Sequence, residues 1–249
     1  MINKLEEKVE NYIKSLTPTN EEIAWNFNMK IEHTARVQKN IIDLCNSLNL
    51  SIEQTNLARM IAILHDIGRY EQYLHFGTFK DNESVDHASL GLDVIKRENF
   101  LGNYESKDLI YTAINFHNKK DLPSTISDDE LLFCKLIRDA DKLDIYALIT
   151  NYYEQEKTSK KRSLELSLPD TSEISSAVYN SLMEKKIVDL DDVKNLNDFK
   201  LLQIGWIYDI NFEFTRKKII EGKYLDRIFD KINCDYDLSE LKQRTINLA

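Results

Sequence analysis

Leu57-Ala-Arg-Met-Ile-Ala-Ile-Leu-His-Asp-Ile-Gly-Arg69 is the stretch on which the reading of this chain turns. Its first eight residues are apolar on nearly every side except Arg59, a pattern that belongs to a helix lying in a protein core, not on its surface. Ser51 and Gln54 precede it at capping-box spacing. Gly68 is expected to stop it just past the doublet His65-Asp66. An imidazole and a carboxylate thus stand side by side at the end of a buried helix.

Outward from the doublet, the same residue types recur in order. The chain has five histidines, and four of them with two aspartates form the series His33, His65-Asp66, His87, His117, Asp141. The gaps are 32, 21, 30 and 24 residues, each about one helix plus one turn. All six fall in segments that read as helix, so successive helices can each lend a ligand to a common centre. Imidazole and carboxylate are the donors that borderline transition metals prefer.

Composition agrees with a helical fold. Six glycines and three prolines leave little material for sheet turns, while Leu, Ile, Lys and Glu abound, so the expected class is all-α. Hydrophobic residues at 42% and charged residues at 30% describe a globular chain, not a disordered one. We expect one all-α domain over residues 1–249. Its ligand-bearing core spans about 25–150, and a helical extension over about 172–249 packs on it.

Along the chain, helices are expected over 1–16, from a capping box at Thr19 and Glu22 to Leu48, from Ser51 to Gly68, over 84–99, over 106–117, and from a box at Ser127 and Glu130 to Tyr153. Residues 70–83 and 118–127 read as loops. So does the charged segment 154–171, with Lys157, Lys160, Lys161 and Arg162. Further helices are expected near 172–186, 197–221, 223–233 and 237–247.

The net charge of −9 argues against a general nucleic-acid binder, which carries a basic face. Cys45, Cys134 and Cys234 are odd in number and far apart, the pattern of reduced thiols. No run of 18 apolar residues is present, and the first residues lack an export-type apolar stretch. These features give the expectation of a cytoplasmic protein without a membrane segment. No P-loop, Rossmann turn or serine elbow is found.

The ordered series, with Ile61 to Arg69 around its doublet, resembles the HD-domain superfamily of metal-dependent phosphohydrolases over roughly residues 25–150. It is similar to the branch with two extra histidines between the doublet and the last aspartate. That resemblance implies two divalent transition metals, such as iron or manganese. His33, His65, Asp66 and Asp141 would hold the first, Asp66 would bridge, and His87 and His117 would hold the second. Asp139, Asp141 and Asp144 lie close together, and the family's closing motif selects Asp141, leaving Asp144 to support a ligand ring. The implied reaction is hydrolysis of a small phosphoester, a nucleotide in class, by a hydroxide held on the metals.

Around these ligands, Arg36 and Arg69 are candidates to clamp phosphate oxygens, His75 to touch substrate from a loop, and Lys142 to assist beside Asp141. Phe116-His-Asn-Lys-Lys-Asp-Leu-Pro123 lacks the second histidine and the Gly-Tyr-Pro element of cyclic-dinucleotide hydrolases, which argues against that activity and against a third metal. Two other readings share the site: a mixed-valence di-iron oxygenase, and a non-enzymatic, metal-stabilised sensing module.

Overall fold

Apolar residues at helical spacing build the chain from its first turn. In α1 (Ile2–Ser15), Leu5, Val9 and Tyr12 are buried on one face. The next helix, α2 (Glu21–Ser47), buries Phe27, His33, Val37, Ile41 and Leu44, so its histidine lies in the same inward stripe as its aliphatic residues. The computed structural model describes residues 2–16, 18, 20–155 and 162–246 (for Arg162 the backbone alone), and every regular element in them is helical, with no strand. The expected all-α class is what is found.

Capping chemistry sets most boundaries. Asn20 opens α2 by accepting from the Ile23 N–H at 2.8 Å; Thr19, the expected cap, lies outside the described residues. Ser51 and Gln54 close a reciprocal box at the start of α3 (Ile52–Leu64), with bonds of 3.2 and 3.0 Å. The second expected box is also present, Glu130 and Ser127 exchanging bonds of 2.9 and 3.3 Å where α7 (Asp128–Glu154) begins.

Between these, the chain departs from expectation around the doublet. Gly68 does not end the core helix, which stops at Leu64; it is the first residue of α4 (Gly68–Phe76). A Cβ on Gly68 would stand 2.3 Å from the His87 carbonyl oxygen and 2.6 Å from the Gly91 nitrogen. Glycine is therefore needed here for close approach to α5 (His87–Arg97), not as a stop. Most of the expected 70–83 loop is likewise helical, because Tyr70 and Tyr73 bury at i and i+3, and the stop is Gly77 with φ 65°. A single 3-10 turn follows at Asp81–Glu83, and Asp86 caps α5 through the Ser89 N–H. A further helix, α6 (Lys107–Phe116), completes the set before α7.

Two compact units make up the chain, residues 1–141 and 142–249, and the division falls within α7. In the second unit α8 (Arg162–Glu165) lies inside the segment expected to be loop, while Lys157, Lys160, Lys161 and the Arg162 side chain are outside the described residues. After α9 (Ser176–Met183) comes α10 (Leu196–Gly205), buried along its whole length, which makes it the central helix of this unit. The single helix expected over 197–221 is broken. A 3-10 turn at Trp206–Asp209 and extended residues follow α10 before α11 (Glu213–Glu221). The cause is the run Trp206-Ile-Tyr-Asp-Ile-Asn-Phe212, aromatic, β-branched and short polar residues that lose rotamer freedom in a helix or compete with its backbone. Two short helices, α12 (Tyr224–Phe229) and α13 (Ser239–Ile246), end the described chain.

Candidate metal centre

The residues that carry the chemistry sit mostly at helix ends. Only His33, inside α2, and Asp141, inside α7, project from helix interiors. His65 is the C-cap residue of α3, and Asp66 lies in the turn that follows. His87 is the first residue of α5, and His117 is the C-cap of α6. Helix ends from different directions can converge where whole helices would collide.

The six side chains meet around the Asp66 carboxylate. Its Oδ2 faces His33 Nε2 at 3.5 Å and His65 Nε2 at 3.6 Å. Its Oδ1 faces His87 Nε2 at 3.5 Å and His117 Nε2 at 3.8 Å. Asp141 Oδ1 stands 3.1 Å from His33 Nε2 and 3.8 Å from His65 Nε2. Two groups of metal-compatible donors thus share one aspartate: His33, His65 and Asp66, and Asp66, His87 and His117.

Ring orientation is fixed from behind. His65 Nδ1–H donates to the Ala62 carbonyl at 2.8 Å and His117 Nδ1–H to the Ile114 carbonyl at 2.6 Å. Carbonyl oxygens only accept, so both tautomers follow, and each Nε2 presents a lone pair to the centre. The third ring, His87, donates from Nδ1 to Asp81 Oδ2 at 2.6 Å. Asp81 is held in turn by Asn118 at 3.1 Å and, through Oδ1, by Arg69 at 2.9 Å and Gln72 at 2.8 Å.

This arrangement fits a cation. His87 Nε2 and His117 Nε2 are 3.0 Å apart, both with lone pairs pointing inward. Buried His65 Nε2 has no hydrogen-bond partner. Such an array is costly unless a positive charge lies among the donors. Protonation is a poor substitute, because burial pushes both His65 and His87 down to about 4, for His87 with help from the Arg69 charge. Both rings are therefore neutral at neutral pH, the form in which an imidazole can donate to a metal. Burial alone would raise the Asp66 carboxyl, yet the Lys30 ammonium at 2.6 Å and the neighbouring imidazoles hold it well below the usual carboxylate range. Asp141 is also held below that range against its burial, chiefly by His33. The clustered histidines and aspartates fit divalent metal binding.

Of the proposed substrate-binding groups, the structure brings only Arg69 to the centre. Its Nε is 3.6 Å from Asp66 Oδ1, while Nη1 donates to Gln72, to the Phe79 carbonyl and to Asp81 at 2.7–2.9 Å. Its Nη2 takes part in none of these bonds. Arg36 is half-exposed on α2 and pairs with Glu32 at 3.7 Å. His75 is exposed in the last turn of α4. Lys142 belongs to the second unit and pairs with Asp209 at 2.6 Å. Asp144, suggested as a support for a ligand ring, is buried in that unit too.

Two residues at the centre, Lys30 and Asp81, and one behind it, Arg138, were given no role by the sequence reading. Lys30 precedes His33 by three positions, and that spacing on a helix was the available signal. Asp81 orients His87 from a turn six residues upstream, a relation no periodicity announces. Arg138 is buried and donates to the carbonyls of Phe116 (2.8 Å) and Lys119, which ties down the turn that carries His117.

Among the described residues no helix is long and apolar enough to cross a membrane, and Cys45, Cys134 and Cys234 are free thiols. No curated protein and no solved structure matches the chain. Residues 31–146, however, match the family model described as HD domain, a span that contains all six clustered side chains. That match and this geometry agree: residues 31–146 are similar to the HD domain, and the clustered histidines and aspartates lie within them.

Proposed function

We propose that this protein is a binuclear-metal phosphohydrolase acting on a small phosphoester, a nucleotide in class. The supporting observation is the division of Asp66, whose two oxygens face two separate pairs of imidazole nitrogens. His33, His65, Asp66 and Asp141 would hold one divalent ion, iron or manganese. His87 and His117, with Asp66 as the bridge, would hold the other. When bound, such ions supply the Lewis acidity that polarises a phosphoryl oxygen and makes water nucleophilic at neutral pH.

The chain's own residues do the rest. Asp66 and Asp141 bring two negative charges to the ions, and the neutral rings of His65 and His87 bring lone pairs without a proton to lose. Ala62, Ile114 and Asp81 keep three of the rings from turning. Arg69 Nη2 is the guanidinium nitrogen available to a phosphoryl oxygen. The net charge of −9 disfavours a polynucleotide and leaves small phosphoesters as the substrate class.

The test is phosphate release from a panel of phosphomonoesters that includes nucleotides, using protein purified anaerobically and loaded with manganese or iron. Asp66→Ala, treated identically, serves as the control. The proposal expects release by the parent and none above background by the variant. Equal release by both, or substrate-dependent oxygen uptake in place of phosphate release, would overturn it.

A further inference from the structure

An ammonium group, that of Lys30, pairs with the carboxylate at the middle of the cluster. Lys30 Nζ lies 2.6 Å from Asp66 Oδ2, the oxygen that also faces His33 and His65. Its stem rises from α2 one turn before His33, and the ammonium sits 5.4 Å from the Phe79 ring centroid, which keeps it at the centre. The side chain is only 15% exposed, so water screens this charge weakly. Asp66 itself is buried, and a buried carboxylate without a counter-charge is strongly unfavourable.

We propose that Lys30 is an internal counter-ion that competes with the first metal for Asp66 Oδ2 and must leave it when that metal binds. The inference rests on the metal reading above. A divalent ion ~2.1 Å from Asp66 Oδ2 would lie within about 4.7 Å of an ammonium that remained in place at 2.6 Å. Like charges so close in a poorly screened pocket repel. Carboxylate oxygens have lone pairs enough for both, so repulsion, not lack of an acceptor, forces the exchange. Lys30 thereby sets the threshold of free metal at which the first position fills. Its charge offsets two carboxylates held close together, and it makes loading a substitution of one cation for another.

Calorimetric titration of metal-free protein with Mn²⁺ alone tests this, with no substrate and no turnover. Lys30→Met keeps the stem and removes the charge, and Lys30→Arg keeps the charge. Loss of a competing charged hydrogen bond should tighten Mn²⁺ binding about tenfold to a hundredfold in Lys30→Met, with Lys30→Arg near the parent. The metal-free Lys30→Met protein should melt lower than the parent and recover more on adding Mn²⁺. If Lys30→Met does not fold without metal, co-refolding with Mn²⁺ followed by chelator competition gives the same comparison. Parent and Lys30→Met affinities that are equal, or weaker binding in the variant, overturn the inference and leave the metal reading intact. Absence of Mn²⁺ binding by every protein overturns both.

Discussion

Both units of this protein bury polar side chains, and they do so to opposite effect. Along α10 in the second unit, every polar group is answered. Asp198 accepts from Ser175 N at 2.8 Å, Ser175 Oγ at 2.6 Å and Lys194 N at 3.0 Å. Asn197 donates to the carbonyls of Thr171 and Asn233, and Lys200 donates to the Lys231 carbonyl at 2.7 Å. These bonds fasten loops to a central helix, and their geometry is complete without any added group. In the first unit the backs of the rings are equally well held, but their front atoms converge with lone pairs toward one another. A buried polar group that is satisfied maintains a fold; a set of them held in mutual conflict implies a missing charge.

Paired substitutions, one in each region, test this contrast. Asp66→Ala should strip both metals from the protein, whereas Asp198→Ala should keep them. Its loss of three hydrogen bonds to a buried carboxylate should instead lower stability on the order of 3 kcal/mol. Elemental analysis beside chemical denaturation reads both arms. Metal retained by Asp66→Ala would erase the distinction between the two regions.

A smaller effect is expected behind the ligands. Asp81→Ala removes the acceptor of His87 Nδ1–H and frees Arg69 Nη1 from one of its three partners. Carboxylates in this position typically contribute ten- to a hundredfold to metal affinity. The variant should therefore lose the second metal at chelator concentrations the parent tolerates, with little change at the first. Unaltered affinity at both positions would mean that Asp81 serves only the turn at Asp81–Glu83.

Acid should separate the regions most gently. All five histidines lie in the first unit. His65 and His87 stay neutral in the fold down to about 4, against an ordinary value of 6.5. Between those values the unfolded chain takes up protons that the folded one refuses. Their contribution is therefore intact above 6.5 and is lost as pH falls toward 4, by order of 1 kcal/mol per pH unit. Hydrogen exchange on metal-free protein should show amides of α3 and α5 losing protection between pH 7 and 5 while those of α10 hold theirs. A uniform loss in both would contradict the assignment.

What could be read from the sequence follows the same physical division. The order His33, His65-Asp66, His87, His117, Asp141 was legible because ligand identity and helix-length spacing are one-dimensional properties. So were the boxes at Ser51 and Ser127, whose partners are three residues away. Asp81 and Arg138 were not, because what they do depends on a turn and a carbonyl brought close by folding. Gly68 shows the limit most clearly. Its position after a helix suggested a stop, while its actual constraint is the His87 carbonyl, 19 residues along the chain and 2.3 Å from where a Cβ would be. Arg69 was legible as a cation near the doublet, but not as the anchor of Asp81.

Metal stoichiometry reads whether Asp66 joins two metal positions. Protein purified without oxygen and saturated with manganese should carry two ions per chain. His117→Ala should carry one, since His33, His65, Asp66 and Asp141 remain together, and Asp66→Ala should carry none. Two ions retained in His117→Ala, or a parent that never holds more than one, would mean that Asp66 does not join two positions.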